Sequence, residues 1–300
     1  MNVLNFGSLN IDHVYQVDHF VAAGETEAST QYVRHMGGKG LNQSIALARA
    51  GVTVYHAGCV GTDGAFLKNY LEESGVCTTY LKTGSVPTGH AIIQVDRSGQ
   101  NCILLFGGAN QSQTPEQIAE TIAHFTSGDI LLLQNEINDL DEIMRCAYAR
   151  GLRIAFNPSP ATDALLQLPL ETVEWFILNE VEGNQLTGET DPDRMIEELR
   201  RRWPGCRVVL TLGKRGVRYA DDEISCAHGI YPVPVVDTTG AGDTFTGYFL
   251  AGVVQNRPIP EILEFASRAS SLEITRPGAA QSIPTAAEVA AADLPAPTAV

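Results

Sequence analysis

Val236-Asp237-Thr238-Thr239-Gly240-Ala241-Gly242-Asp243-Thr244-Phe245 joins an extended, β-branched and Pro-rich run (230–236) to an apolar helical run (245–254). Glycines at 240 and 242 lack a Cβ, so the backbone there can turn tightly and approach a ligand closely. The amides of residues 240 to 243 then sit at a helix N-terminus without internal partners. Such a terminus attracts anions through its free donors and its dipole. Asp243 is out of place in an anion pocket, because a carboxylate repels phosphate. It suits a general base that takes the proton of a hydroxyl attacking a phosphorus atom held by the amides. An Asp there also serves simply as a helix cap. D-x-x-G-x-G-D alone does not choose between the two.

Outward from this stretch, short apolar runs alternate with helical ones. Strands are expected at 3–6, 52–59, 130–133, 153–156, 175–178 and 208–212, with 217–219 continuing in β fashion. Helices are expected at 41–50, 65–74, from Thr114-Pro115, at 139–150, from Asp191-Pro192 to 202, at 242–254 and near 260–274. Thr114, Pro115 and Gln117 form a helix start of the capping-box kind. Strands separated by helices imply right-handed crossovers and a mostly parallel sheet covered on both faces. The stretches near 11–35 and 88–106 break that rhythm with alternating apolar and polar residues. They are expected to form a small sheet inserted into, and projecting from, a single domain of residues 1–300. The Ala- and Pro-rich tail from 286 is expected to fray.

Three hundred residues, 44% hydrophobic, suffice for one large α/β domain with a small appendage. Twenty basic against 35 acidic residues give a net charge of −15. No basic face is then available for nucleic acid or an acidic membrane surface. A nucleotide ligand remains open, because backbone amides can supply a local positive field. Six cysteines are scattered without C-x-x-C or zinc-type spacing, which fits buried free thiols and a cytoplasmic location. The N-terminus runs directly into a strand, so no leader is expected. No apolar run approaches ~20 residues, so none is expected to span a membrane.

Ligands of open parallel sheets bind beyond the carboxyl ends of the strands. That rule gathers Asn10 and Asp12, Glu136, Asn157, Asn179 and Glu182, Thr211 and Gly213, and the segment from Asp237 to Asp243. Gly37-Gly38-Lys39-Gly40-Leu41-Asn42 can bring backbone, an ammonium and a carboxamide to one ligand. It also reads as a glycine-rich turn with a solvated lysine. A Walker A loop is absent, and so is a G-x-G-x-x-G after the first strand, which disfavours a dinucleotide oxidoreductase.

Taken together, Gly7-Ser8-Leu9-Asn10-Ile11-Asp12, Gly37-Gly38-Lys39-Gly40-Leu41-Asn42-Gln43, Asn157-Pro158-Ser159-Pro160, Asn179-Glu180-Val181-Glu182, Thr211-Leu212-Gly213 and the 237–243 segment resemble the ribokinase (PfkB-type) carbohydrate kinases. The resemblance runs from residue 3 to about 284. It implies an α/β fold, a three-layer αβα sandwich with a β lid, and ATP-dependent phosphorylation of a sugar. It places Asn10, Asp12, Gly38, Lys39, Asn42 and Glu136 around sugar hydroxyls and Asp243 as the base. Gly240, Ala241 and Gly242 form the anion hole with it. Asn179 and Glu182 stand near the phosphates and Mg²⁺, and Thr211 and Gly213 near the nucleotide. A monovalent-cation site, usually K⁺, is implied at Asp237, Thr239, Glu273, Arg276, Gly278 and Ser282, largely through carbonyl oxygens; Glu273 and Pro277 are less usual in it. His90 stands where the family commonly has an apolar residue.

The polar pair Asn10/Asp12 favours an unphosphorylated, hydroxyl-rich sugar, a pentofuranose such as ribose. Deoxyribose, fructose and adenosine are the alternatives. A nucleoside needs an apolar wall, for which Phe106 or Tyr15 could serve, and a phosphosugar needs a basic cluster, for which Arg34 and His35 are candidates. A non-catalytic sensor that keeps the pocket is the reading from another class. The lid stripe Val14, Val33, Ile92, Ile103 and Leu105 exceeds what one small sheet can hide, so a lid-to-lid homodimer is expected.

Overall fold

Alternating runs fold as alternating elements in a computed structural model that describes all 300 residues. The strands are β1 (Val3–Phe6), β2 (Asn10–Gln16), β3 (Gln31–Gly37), β4 (Val54–Gly61), β5 (Cys77–Gly84), β6 (Gly89–Val95), β7 (Asn101–Phe106), β8 (Ile130–Gln134), β9 (Arg153–Asn157), β10 (Val173–Asn179), β11 (Arg207–Thr211), β12 (Val217–Ala220) and β13 (Ser225–His228). The helices are α1 (Lys39–Arg49), α2 (Ala65–Glu73), α3 (Pro115–Ala123), α4 (Leu140–Ala149), α5 (Glu180–Thr187), α6 (Pro192–Arg202), α7 (Ala241–Val254), α8 (Ile259–Glu273) and α9 (Ala286–Ala291).

The main sheet has nine strands in the order β13-β12-β11-β10-β9-β8-β1-β4-β5. From β11 to β5 every pairing is parallel, and β12 and β13 close the other edge antiparallel. Alternation along each strand sends successive side chains to opposite faces. Ile130 and Leu132 therefore enter one core layer with α1, α2, α7 and α8, while Leu131 and Leu133 enter the other with α3 to α6. This is the expected αβα sandwich. No helix is long and apolar enough to cross a membrane.

The second sheet, β3-β2-β6-β7, carries the two expected insertions. Its register separates two faces. Val14 lies opposite Val33 and Ile93, and Ile93 opposite Ile103. Ile92 pairs instead with His13 and Leu104, so it leaves the stripe that the sequence suggested and Ile93 takes its place. On Ile92's face His90 packs between His13 and Phe106, with ring centroids 5.7 and 5.0 Å away.

Several expectations need correcting. Residues 77–84 form the edge strand β5, which their Thr- and Lys-containing, half-exposed sequence hid. The run 230–236, read from the sequence only as extended and Pro-rich, joins neither sheet, since Pro232 and Pro234 cannot donate to a ladder. The tail does not fray at 286: Thr285 and Glu288 form a capping box on α9, and the Thr298 amide donates to the Ile230 carbonyl at 2.8 Å. Of the six free cysteines only Cys59 and Cys206 are buried.

Candidate active site

Two cavities open at the carboxyl ends of the central strands, about 280 and 250 Å³ in volume. The first is lined by Asn10, Leu105, Gly107, Asn110, Gln111, Asn135, Glu136 and Pro160. The second has Lys39, Asn157, Asn179, Glu182, Thr211, Gly240, Gly242 and Asp243 among its walls. Asp243, on the first turn of α7, is buried to 8% exposure. Its Oδ2 accepts from Asn42 Nδ2 at 2.9 Å and its Oδ1 from Gln43 Nε2 at 2.8 Å. Residues 200 positions away in sequence thus fix the carboxylate at the 38–42 loop, where the base role requires it. A plain capping role does not fit, because the α7 cap position is Gly240 and no side chain caps that helix.

Gly240 turns the chain into α7 with φ of 92°, a conformation that glycine adopts without the penalty borne by other residues. The amides of Gly240, Gly242 and Asp243 have no acceptor within the protein, and that of Thr244 closes the first turn on the Gly240 carbonyl at 2.8 Å. Three free donors therefore face the second cavity. Lys39, half-buried, lines the same cavity. Burial disfavours its ammonium, but the carboxylates of Asp243, Glu136 and Glu182 outweigh burial and hold its pKa above the ordinary lysine value.

On the lid side, burial first and the Glu136 charge second push the Asp12 carboxyl up to about 7. Burial also raises Glu136, against the opposing pull of Lys39 and hydrogen bonds from the Ser8 hydroxyl and, at 3.1 Å, the Lys39 amide. Asn110 is a site residue that sequence reasoning misses. Its Oδ1 accepts from the Leu9 amide at 2.9 Å and its Nδ2 donates to Asn10 Oδ1 at 2.7 Å, fixing the loop that presents Asn10. A short polar run after a lid strand gives no sequence signal for that.

The Asn179-x-x-Glu182 motif has a local structural explanation as well. It is a capping box on α5: Asn179 Oδ1 accepts from the amides of Val181 and Glu182, and Glu182 Oε2 accepts from the Asn179 amide at 2.9 Å. Both residues still line the second cavity, as does Thr211. Gly213 follows at the start of a 3-10 turn with positive φ. Of the residues assigned to a monovalent cation, Asp237 accepts from the amides of Thr239 at 2.9 Å and Gly278 at 3.0 Å, and Ser282 Oγ lies 3.0 Å from Glu273 Oε1. The Arg276 side chain points away, onto Glu288 at 2.8 Å. Glu273 is fully buried, and its Oε2 has no hydrogen-bond partner. Burial, reinforced by Asp237 and Asp243, raises its carboxyl to about 8. Tyr15 and Phe106, the possible base-stacking walls, fall on the lid face opposite Asp12, and Arg34 stacks 4.3 Å over Phe66 beside α2.

An αβα sheet with a β lid, a sugar-sized polar cavity under that lid and a second cavity walled by the helix-start glycines and Asp243 defines a sugar kinase. A profile of the pfkB family carbohydrate kinases matches residues 2–286, and the chain belongs to that family. It is 33% identical to the ribokinase of Haemophilus influenzae, over 94% of this chain and 95% of that one, and 34% identical to the ribokinase of Bacillus subtilis, over 96% and 98%. Among solved structures it resembles Arabidopsis thaliana ribokinase complexed with ribose and ATP (TM-score 0.84, 29% identity, 96% of this chain and 97% of that one). It also resembles Cryptococcus neoformans ribokinase in complex with ADP (TM-score 0.83, 32% identity, 96% and 98%).

Proposed function

We propose that this chain phosphorylates the primary hydroxyl of ribose with ATP, giving ribose 5-phosphate, and that Asp243 is the general base. The observation that carries this is the Asp243 carboxylate held on the wall of the second cavity by Asn42 and Gln43. Ribose extends from the lid-side cavity, where Asn10 and Glu136 are on the wall, toward Asp243, with Asp12, Gly38, Asn42 and, from the wall of the second cavity, Lys39 completing its site. Its hydroxyl gives a proton to Asp243 as the γ-phosphoryl meets the free amides of Gly240, Gly242 and Asp243; the Ala241 amide, expected to join them, is instead taken up by the Thr238 carbonyl at 3.3 Å. ATP occupies the second cavity, with Asn179, Thr211 and Gly213 around it. Positioning and charge stabilisation do most of the work in such a transfer. Mg²⁺, when bound, neutralises phosphate charge, and the Glu182 carboxylate stands on the cavity wall to hold it. K⁺ suits the loop of Asp237, Thr239, Glu273, Arg276, Gly278 and Ser282, because the buried Glu273 Oε2 has no partner there and a bound cation would stabilise the ionised carboxylate against the burial that favours its protonated form. Coupled ADP release with ribose, deoxyribose, fructose, adenosine and fructose phosphates, with and without K⁺, tests the assignment. Ribose should give the highest kcat/KM and K⁺ should raise it. A different best acceptor overturns the substrate assignment.

Asp12 makes sugar binding pH-dependent. Its folded-state pKa, about 7, lies above its ordinary 3.8, so the free protein loses stability from this group as pH rises between those values. Sugar hydroxyls that donate to the carboxylate favour the charged form and should expel the proton. Calorimetry at about pH 6 in buffers of different ionisation enthalpy should show a substantial fraction of a proton released per ribose bound. The release should vanish above about pH 8 and in Asp12→Asn; none at about pH 6 would exclude Asp12 as a sugar acceptor.

The lids pair two copies into a homodimer in this reading. Ile103 and Leu105 are exposed on one lid face, Tyr32, Leu104 and Phe106 on the other, more apolar surface than an isolated small sheet carries comfortably. Sedimentation velocity at micromolar concentration should return a dimer that Leu105→Asp dissociates; a wild-type monomer removes the proposal.

A further inference from the structure

The layer between the main sheet and α1 is apolar except for one polar seam. β1, β4, β8 and β9 each turn a polar side chain toward it: Asn5, His56, Gln134 and Asn157. Burying such groups is costly unless they bond to one another. Here they do, in a chain that ends on Asp243. Gln134 Nε2 donates to Gln43 Oε1 at 2.7 Å and to Asn5 Oδ1 at 3.0 Å. Gln43 Nε2 then donates to Asp243 Oδ1 at 2.8 Å and Asn157 Oδ1 at 3.0 Å. At the other end Asn5 Nδ2 donates to Ser44 Oγ at 2.8 Å, and Ser44 Oγ lies 2.8 Å from His56 Nδ1.

We infer that Gln43 and Gln134 are positioning residues for phosphoryl transfer: the seam fixes which way the Gln43 amide faces, and so aims the Asp243 carboxylate. The inference rests on Asp243 as the base. Gln43 is fully buried and Gln134 is 1% exposed, so neither can touch a substrate, and any effect on turnover must pass through a neighbour. Gln43 cannot flip its amide without setting its oxygen against Asp243 Oδ1 and its nitrogen against Gln134 Nε2. Asn42, by contrast, bonds the other carboxylate oxygen and belongs to the sugar site. The chain joins the ends of three strands and the second turn of α1 to one side chain, as a base held to a fraction of an ångström requires.

The test compares kcat and KM for Gln43→Met and Gln134→Met, alone and combined with Asp243→Asn, with thermal unfolding to confirm folded protein. Each single variant should lose on the order of 10- to 100-fold in kcat while KM for sugar and ATP stays within about twofold. In the Asp243→Asn background neither should lower kcat further, because residues acting through one group are not additive. Full kcat in both Gln variants, or an undiminished loss in the Asp243→Asn background, overturns the inference. Gln43→Met decides the matter if Gln134→Met does not fold. If Asp243→Asn itself keeps wild-type kcat, the base assignment has failed; if it is inactive while the Gln variants are not, only the positioning role has.

Discussion

Asp243→Asn should lower kcat by roughly 10²–10⁴, the range a general base contributes, while ribose affinity measured by calorimetry stays within a few fold. The substitution preserves volume in a packed site. The carboxamide oxygen that replaces Asp243 Oδ1 can still accept from Gln43, and Asn42 can turn its buried, unpartnered Oδ1 to accept from the new amide nitrogen. The fold therefore survives, and what disappears is a proton acceptor beside the attacking hydroxyl. A variant with wild-type kcat would remove Asp243 from the chemistry. A variant that loses ribose binding in proportion would make it a sugar ligand only.

Gly40→Ala should be the most damaging single-methyl change near the site. An added Cβ would lie 2.6 Å from the Gly7 carbonyl carbon and 2.7 Å from its Cα, and closer still to the Ser8 amide nitrogen. All three are backbone atoms of the turn after β1, so no side chain can swing away. Overpacking commonly costs about 1–3 kcal/mol and more where the backbone must move, which for a domain of this size lowers Tm by roughly 2–5 °C or somewhat more. Because Lys39 and Asn42 flank the position, KM for the sugar should rise as well. Differential scanning calorimetry with steady-state kinetics checks both; an unchanged Tm would mean α1 does not seat as closely as described.

The close seating of α1 was not legible in the sequence, although its glycines were. Gly37-Gly38-Lys39-Gly40 reads equally as a flexible turn or a ligand loop, and only the spatial approach to Gly7 and Ser8 separates them. Asp243 stood out in the sequence because a carboxylate at a glycine-rich helix start conflicts with anion binding, and a local conflict of that kind points to a functional position. The sandwich was legible because buried parallel strands are nearly continuous apolar runs, such as residues 130–133. Edge strand β5 was not, since Thr78, Thr79 and Lys82 give it a polar face. The Gln43–Gln134 contact spans 91 residues and leaves no mark on periodicity. The Asn179–Glu182 spacing carried a second, local meaning as a capping box, which shows how one pair of residues can start a helix and line a cavity.

The lid is built from two insertions, and Asn10, Asp12 and Leu105 sit on its strands, whereas Asp243 and the free amides belong to the layered scaffold. In the proposed reading the lid thereby carries part of the acceptor site, Asn10 and Asp12, while Lys39, Asn42, Glu136 and the phosphoryl chemistry stay on the scaffold. Exchanging the lid segments should therefore shift the preferred sugar through Asn10 and Asp12 while Asp243 keeps its hydrogen bonds to Asn42 and Gln43.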